Sequence, residues 1–469
     1  MIGPLADSLA RGVEQVAGTV SETFFEPVVR LGVTGLARSG KTVFITSLVA
    51  NLIDRARMPQ LSAAAQGRIS AAYLQPQPDD TLPRFDYETH LGRLMANEPS
   101  WPESTRAISE LRLSFNVRAG GFLGSVQGPR RVHLDIVDYP GEWLLDLALL
   151  DKDYAGWSQE TLARLEHRDC AQAYLAAARA EDGAAKLDEP RARALTDLFT
   201  AYLEAARVEG WSDLSPGRFL LPGDLAGSPV LTFAPLPPAE SAGRGSLWQE
   251  MSRRFEAYKS RVVKPFFRDH FARIDRQVVL VDALGALHRG PRAVEDLRRT
   301  MAEILSAFRP GRNAFLTRVL LGKRVEKILF AATKADHLHH TQHGQLTRIM
   351  QALTRDAAER ARFAGAQTEA MSLASLRATT EETIAHEGRD LRGVRGRLAN
   401  GRTAVVWPGE FPDDPARLLS SAREGQQSWL DGDFGGTRFE PPRLSLRPDE
   451  GPPHIRLDRA AQFLFGDRL

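Results

Sequence analysis

A chain of 469 residues with 43% hydrophobic content is too long for one minimal nucleotide domain and has apolar material for two or three structural units. Its 61 basic and 59 acidic side chains leave a net charge of +2, which removes any whole-molecule case for nucleic-acid binding. One cysteine, Cys170, excludes an intramolecular disulfide and a thiolate metal cage, and fits a reducing cytoplasm.

Residues 1–28 lack the basic start and apolar stretch of a signal peptide, and no apolar run in the chain is long enough to span a bilayer. Leu5, Leu9, Val13 and Val16 recur at helical spacing and predict an amphipathic helix packed on the protein's own surface. Residues 29–34 then read as a short buried strand, followed by Gly35-Leu36-Ala37-Arg38-Ser39-Gly40-Lys41-Thr42. This segment satisfies G-x-x-x-x-G-K-S/T at every fixed position, and Phe44, Leu48 and Leu52 continue it at helical spacing. Strand, glycine loop and helix in that order form a phosphate cradle, here Gly35 and Arg38 through Val43. The glycines allow backbone N–H groups to converge on phosphate oxygens. Lys41 neutralises the β- and γ-phosphates and Thr42 offers its hydroxyl to Mg²⁺.

Residues 53–100 form a small insertion containing the Pro- and Gln-rich stretch 75–83. Next comes Trp101-Pro102-Glu103-Ser104-Thr105-Arg106, where a segment closing on the γ-phosphate belongs. Thr105 is the candidate for a state-dependent Mg²⁺ ligand and Ser104 its competitor. Trp101 is placed to shield the nucleotide or to anchor packing, and Arg106 and Arg38 to offer a guanidinium to the transition state or to form surface ion pairs.

Runs at 108–117 and 132–137 predict a hairpin, hence one antiparallel strand on an otherwise parallel sheet. The second run ends in Asp138-Tyr139-Pro140-Gly141-Glu142, in which Asp138 can hold a water on Mg²⁺ and the Gly141 N–H can sense the γ-phosphate. Residues 144–275 read as a helical insertion, with long helices over 162–206 and 248–271 split by the Gly/Pro-rich stretch 221–243. Strands at 277–281, 327–331 and 367–373 complete an α/β alternation over 276–380.

The second of these strands leads into Thr333-Lys334-Ala335-Asp336. A buried Asp336 can accept from the N1–H and N2–H₂ edge of guanine, a pairing adenine cannot supply. The Lys334 stem can lie along the base, while His337 either contributes to the pocket wall or starts the next helix. After the last strand, a turn through Ala374, Ser375 and Leu376 can offer backbone N–H groups to guanine O6, or be an ordinary turn. Residues 381–469 are loop-rich, with a hairpin near 403–407, the Gly-rich stretch 432–436 and a closing helix over 457–465.

The phrases LGVTGLARSGKTVFITSLVANLI, WPESTRAISELRLSF, VDYPGEWLLDL, LFAATKADH and HIRLDRAAQFLFGDRL resemble the YcjX-like family over nearly the whole chain. That resemblance implies an α/β fold with a Ras-like P-loop core and mostly parallel sheet, an inserted helical domain and a C-terminal extension. It also implies a stress-associated switch that binds GTP or GDP with Mg²⁺, and an unidentified protein partner at the membrane, with contact at the inner membrane from the cytoplasmic side. G-protein α-subunits have a helical insertion too, but theirs precedes the switch threonine. Glu142 stands where Ras-like GTPases usually place a water-orienting Gln, and Pro102 where α-subunits place a catalytic arginine. Slow hydrolysis, needing a group from elsewhere, is the resulting expectation. A nucleotide-gated scaffold with negligible hydrolysis and a less selective ATP-using enzyme are the alternatives, the latter disfavoured by Asp336.

Overall fold

The computed structural model describes residues 26–36, 38–103, 107–118, 129–239, 241–306, 325–386, 388–412, 414, 418–419, 436–447 and 449–469. The amphipathic helix expected within residues 1–25, the switch candidates Ser104, Thr105 and Arg106, and most of the Gly-rich stretch 432–436 lie outside the described residues.

β1 (Val28–Gly35) is apolar over most of its length and central, with its last five residues buried. It leads through the glycine loop into α1 (Lys41–Ile53), whose N-cap Gly40 has φ 78°. β2 (Ile69–Gln75), β3 (Ser109–Val117), β4 (Arg130–Asp138), β5 (Arg276–Val281), β6 (Lys327–Ala332) and β7 (Gln367–Ser372) join β1 in one sheet of order β2-β3-β4-β1-β5-β6-β7. β4, β1, β5, β6 and β7 run parallel. The expected β3–β4 hairpin is antiparallel, from Ser109 opposite Asp138 to Val117 opposite Arg130. β2, by contrast, was not expected as a strand. Ile-Ser-Ala-Ala-Tyr-Leu-Gln lacks clean alternation and is paired antiparallel to β3 only by the tertiary structure.

The 144–275 region is helical but more broken than its pattern predicts. Instead of one helix over 162–206, helices run over Tyr154–Leu165, Gln172–Ala180 and α2 (Glu189–Glu209). Asp188 caps α2 by accepting from Arg191 N, Pro190 sits in its first turn, and Gly210 closes it at φ 89°. α3 (Leu247–Tyr258) continues through a π-helical turn, Lys259–Val263, into Lys264–Asp269. These helices share one apolar core with a face of the sheet: Tyr139, Trp143, Phe266, Phe271 and Ile274 pack in the same cluster as Val279 and Val281.

The opposite face of the sheet is covered by α1 and by α4 (Leu457–Phe465), the closing helix, in place as expected. α4 buries Leu457, Ala460, Ala461, Leu464 and Phe465, the i, i+3, i+4, i+7, i+8 stripe of a helix on a core. Within the loop-rich extension, β8 (Thr379–His386), β9 (Arg389–Arg397) and β10 (Thr403–Val406) form a separate antiparallel sheet, of which β9–β10 is the anticipated hairpin. Among the described residues no helix is long and apolar enough to cross a membrane.

Candidate functional site

A cavity of about 510 Å³ opens where β1, β6 and β7 end. In an open parallel sheet, ligands bind beyond the carboxyl ends of the strands. The loop after β1 forms the floor, with Gly35, Ser39, Gly40, Lys41, Thr42 and Val43 lining it. Arg38 at φ 66° and Gly40 at φ 78° adopt the left-handed conformation. The loop folds back tightly, Ser39 N donating to the Leu36 carbonyl at 3.1 Å, and hands the chain to the N-terminus of α1, the kind of helix terminus at which anions bind.

Lys41 is buried, its Nζ 2.7 Å from Asp138 Oδ1 and 2.7 Å from the Tyr139 carbonyl oxygen. β1 and β4 are paired neighbours in register, Val33 opposite Asp138, and this brings the lysine and the carboxylate together. The Thr42 hydroxyl donates to the Glu103 carbonyl at 3.3 Å, joining the segment before the switch candidates to the helix N-terminus. Asp138 and Gly141 do not line the cavity themselves but touch Lys41 and Gly35, which do. A Cβ on Gly141 would come within 2.1 Å of the Gly35 carbonyl oxygen, so only glycine lets this turn touch the phosphate loop. Gly141→Ala is expected to cost about 1–3 kcal/mol, since backbone atoms on both sides leave little room to yield. A melting temperature equal to wild type would rule out that contact.

At the other end of the cavity, Thr333, Lys334, Asp336 and His337 line one wall and Ala374, Ser375 and Leu376 the next. Asp336 is buried, and its Oδ2 accepts from Ala378 N at 2.9 Å, which fixes the carboxylate plane. The Thr379 hydroxyl donates to the Asp336 carbonyl. Lys334, at φ 61°, pairs with Asp282 Oδ2 at 2.5 Å. Burial pushes the Asp282 carboxyl up, but the Lys334 ammonium beside it outweighs this and holds it below the usual range. Burial holds the His337 imidazole below its ordinary pKa. The Ala374 turn is clamped by reciprocal backbone hydrogen bonds with Ile455, of 3.1 and 2.8 Å.

Two parts of the wall have no sequence motif. Ala399, Arg438, Phe439 and Glu440 line the cavity from the C-terminal region. The Phe439 ring meets His337 edge-on at 5.1 Å, and its carbonyl accepts from Trp101 Nε1 at 2.9 Å. Trp101 therefore both lines the cavity and anchors packing. At the end nearer the glycine loop, Arg207 of α2 lines the cavity and pairs with Glu142 at 3.4 Å. Arg38 Nη2 donates instead to the Val208 carbonyl at 3.4 Å. Phe439 sits in a loop without periodicity, and Arg207 looks like any polar residue on a long helix.

The chain belongs to the YcjX-like family. The family model, YcjX-like family, DUF463, matches residues 29–469. Two proteins named Ras-like GTPase YcjX are similar. That of Escherichia coli strain K12 is 38% identical over 455 residues, covering 94% of this chain and 96% of the relative. That of Shewanella oneidensis is 34% identical over 466 residues, covering 94% of each chain. The fold of this YcjX-like chain is accordingly an α/β Ras-like P-loop core with a mostly parallel sheet.

The turn after Asp138 in this YcjX-like chain is packed inside the helical region rather than exposed. Residues 139–150 are buried throughout, and a Cβ on Gly217 would approach the Glu142 carbonyl to 2.1 Å. The Arg218 guanidinium stacks 3.3 Å over the Trp143 ring. Asp146 accepts from Gly217 N at 2.8 Å, from the Ser215 hydroxyl at 3.3 Å and from the Tyr258 hydroxyl. Burial nevertheless pushes its carboxyl up to about 6.

Because the folded value lies above the unfolded one, Asp146 favours the fold when protonated, and this contribution is lost as pH rises through about 6. Asp146→Asn should thus look roughly 2–3 kcal/mol better, relative to wild type, at pH 7.5 than at pH 4. Urea unfolding at both pH values measures it. A pH-independent difference between the two proteins would contradict the assignment.

Proposed function

We propose that this protein binds guanine nucleotide with Mg²⁺, hydrolyses GTP slowly and works as a nucleotide-gated switch. One observation carries the reading: a single cavity is walled at one end by the phosphate cradle of Lys41 and Thr42 and at the other by the buried carboxylate of Asp336. The relatives' printed name, Ras-like GTPase, supports the same reaction class.

In this reading the backbone from Arg38 to Val43 wraps the β-phosphate, with Ser39 N kept on the Leu36 carbonyl, and Lys41 exchanges part of its contact with Asp138 for phosphate oxygens. The Thr42 hydroxyl and Asp138 carboxylate are hard oxygen donors of the type Mg²⁺ accepts, so the residues present fit that ion. Bound there, Mg²⁺ supplies charge neutralisation of the β- and γ-oxygens. Thr105, with Ser104 as competitor, would join the ion's shell in the triphosphate state, and Glu142 would orient water. Asp336 reads guanine N1–H and N2–H₂, Lys334 and His337 border the base, and the Ser375 and Leu376 N–H groups serve O6, because the Ala374 N–H is given to the Ile455 carbonyl. Trp101 and Phe439 close the cavity over the nucleotide.

Thr105→Ala is expected to weaken a Mg·GTP analogue about tenfold while sparing GDP. Equal losses for both nucleotides would make Thr105 structural. The reading as a whole is tested by displacing fluorescent GDP with GTP or ATP in the presence of Mg²⁺. Displacement by GTP alone is expected, and equal displacement by ATP would replace the GTPase with a general NTPase. The scaffold reading draws on one observation, that Glu142 is already engaged by Arg207. Single-turnover hydrolysis separates the two, because a scaffold would leave bound GTP intact. A role in the stress response or at a membrane partner rests on the family resemblance.

A further inference from the structure

Of the arginines the sequence offers for hydrolysis, Arg38 is directed at the Val208 carbonyl and Arg106 lies outside the described residues, while Pro102 occupies the place of the α-subunit arginine. The structure brings a different guanidinium to the same wall. Arg207 stands in the last turn of α2 and lines the cavity that Gly40, Lys41 and Thr42 also line. It pairs at 3.4 Å with Glu142, next to the Gly141 that abuts Gly35. α2 is held there by Arg38 on its carbonyl end and by Arg289, whose guanidinium lies against Gly210. We propose that Arg207, delivered by the helical insertion, is the catalytic guanidinium that stabilises charge on the γ-phosphoryl group during GTP hydrolysis, with Glu142 positioning it.

The chemistry favours arginine here over either partner alone. A lone Glu142 carboxylate beside a triphosphate would repel it, and pairing with Arg207 removes that charge. The planar fork of Arg207 carries five N–H donors, so it can keep Glu142 while also donating to a γ-oxygen. In the step served, a water oxygen bonds to Pγ and the bond from Pγ to the β–γ bridging oxygen breaks, its electron pair leaving with GDP. One water proton stays on the attacking oxygen and the other passes to a γ-oxygen, giving H₂PO₄⁻. Arg207 gains or loses no proton, and its contribution is electrostatic.

The proposal rests on the GTPase reading, so wild-type protein is measured first. If it neither prefers GTP nor hydrolyses it in a single turnover, that reading fails by itself. With wild type active, the full chain carrying Arg207→Ala is assayed for single-turnover rate, GDP affinity and aluminium-fluoride-dependent retention of GDP. The expected result is a rate lower by roughly a hundredfold to a thousandfold, loss of the aluminium fluoride complex, and GDP affinity within about threefold of wild type. A rate within about threefold of wild type would overturn the proposal. Should Arg207→Ala also lose GDP affinity, Arg207→Lys decides, since it keeps the charge and the helix but not the fork. Normal GDP affinity with a rate at least about tenfold down supports the role, and a wild-type rate overturns it.

Discussion

Replacing Lys41 with alanine is expected to weaken GTP and GDP binding by two to three decades, about 3–4 kcal/mol. Its ammonium lies at the mouth of α1, 2.7 Å from both Asp138 Oδ1 and the Tyr139 carbonyl oxygen. Both partners of the ion pair are buried, with side-chain exposures of 9% and 1%. In so dry a setting the charge acts on phosphate oxygens with little screening. Alanine removes that charge and the 2.7 Å contact it makes with the Asp138 carboxylate beside the incoming phosphates, so the two losses add. Titration of fluorescent GDP into the variant reads the affinity, and thermal unfolding reads the cost of the broken pair, expected to be about 3–5 kcal/mol. Affinity within tenfold of wild type would remove the phosphate-cradle assignment.

The second large effect is expected at Asp336. Asparagine can still accept from Ala378 N, the bond of 2.9 Å that orients the side chain, so the fold should tolerate the change. What changes is the face toward the base: the amide group presents donors where guanine also presents donors. Guanine preference is expected to fall roughly a thousandfold, because a buried polar pair is left unmatched. Xanthine, whose 2-oxo group accepts, should gain. Competition between GDP and XDP for the variant measures this directly. Unchanged guanine selectivity would place the base pocket elsewhere.

Arg207 bears on how such a switch would be wired. The turn after Asp138 is buried in the helical region through Trp143, Arg218 and Asp146, and α2 returns from that region to the phosphate side of the cavity. Any movement of Glu142 with the γ-phosphate must therefore displace packed helices rather than a solvated loop. In the proposed switch, this is how the insertion would register nucleotide state.

Much of the site was legible in the residues because its requirements are local. Gly40 in the left-handed conformation, Lys41 and Thr42 opening α1, and Asp138 ending β4 are demands that a phosphate makes on a few consecutive residues. The same holds for the α4 stripe from Leu457 to Phe465, which helical periodicity alone predicts. The single helix expected over 162–206 failed for a related reason. Apolar spacing reports a buried face, whereas the breaks come from caps such as Asp188 and from the turn before it.

The tertiary structure alone decided which distant residues meet. Trp101 and Phe439 are 338 positions apart, and no spacing rule connects a loop tryptophan to a C-terminal carbonyl. β2 became a strand because β3 offered an unpaired edge, not because Ile69–Gln75 favours one. Arg207 meets Glu142 because Arg38 and Arg289 hold the end of α2 beside the phosphate loop. Backbone geometry for a nucleotide is written in neighbouring residues and can be read from them. The closure of the cavity and the source of its arginine depend on which surfaces are buried together when the whole chain folds.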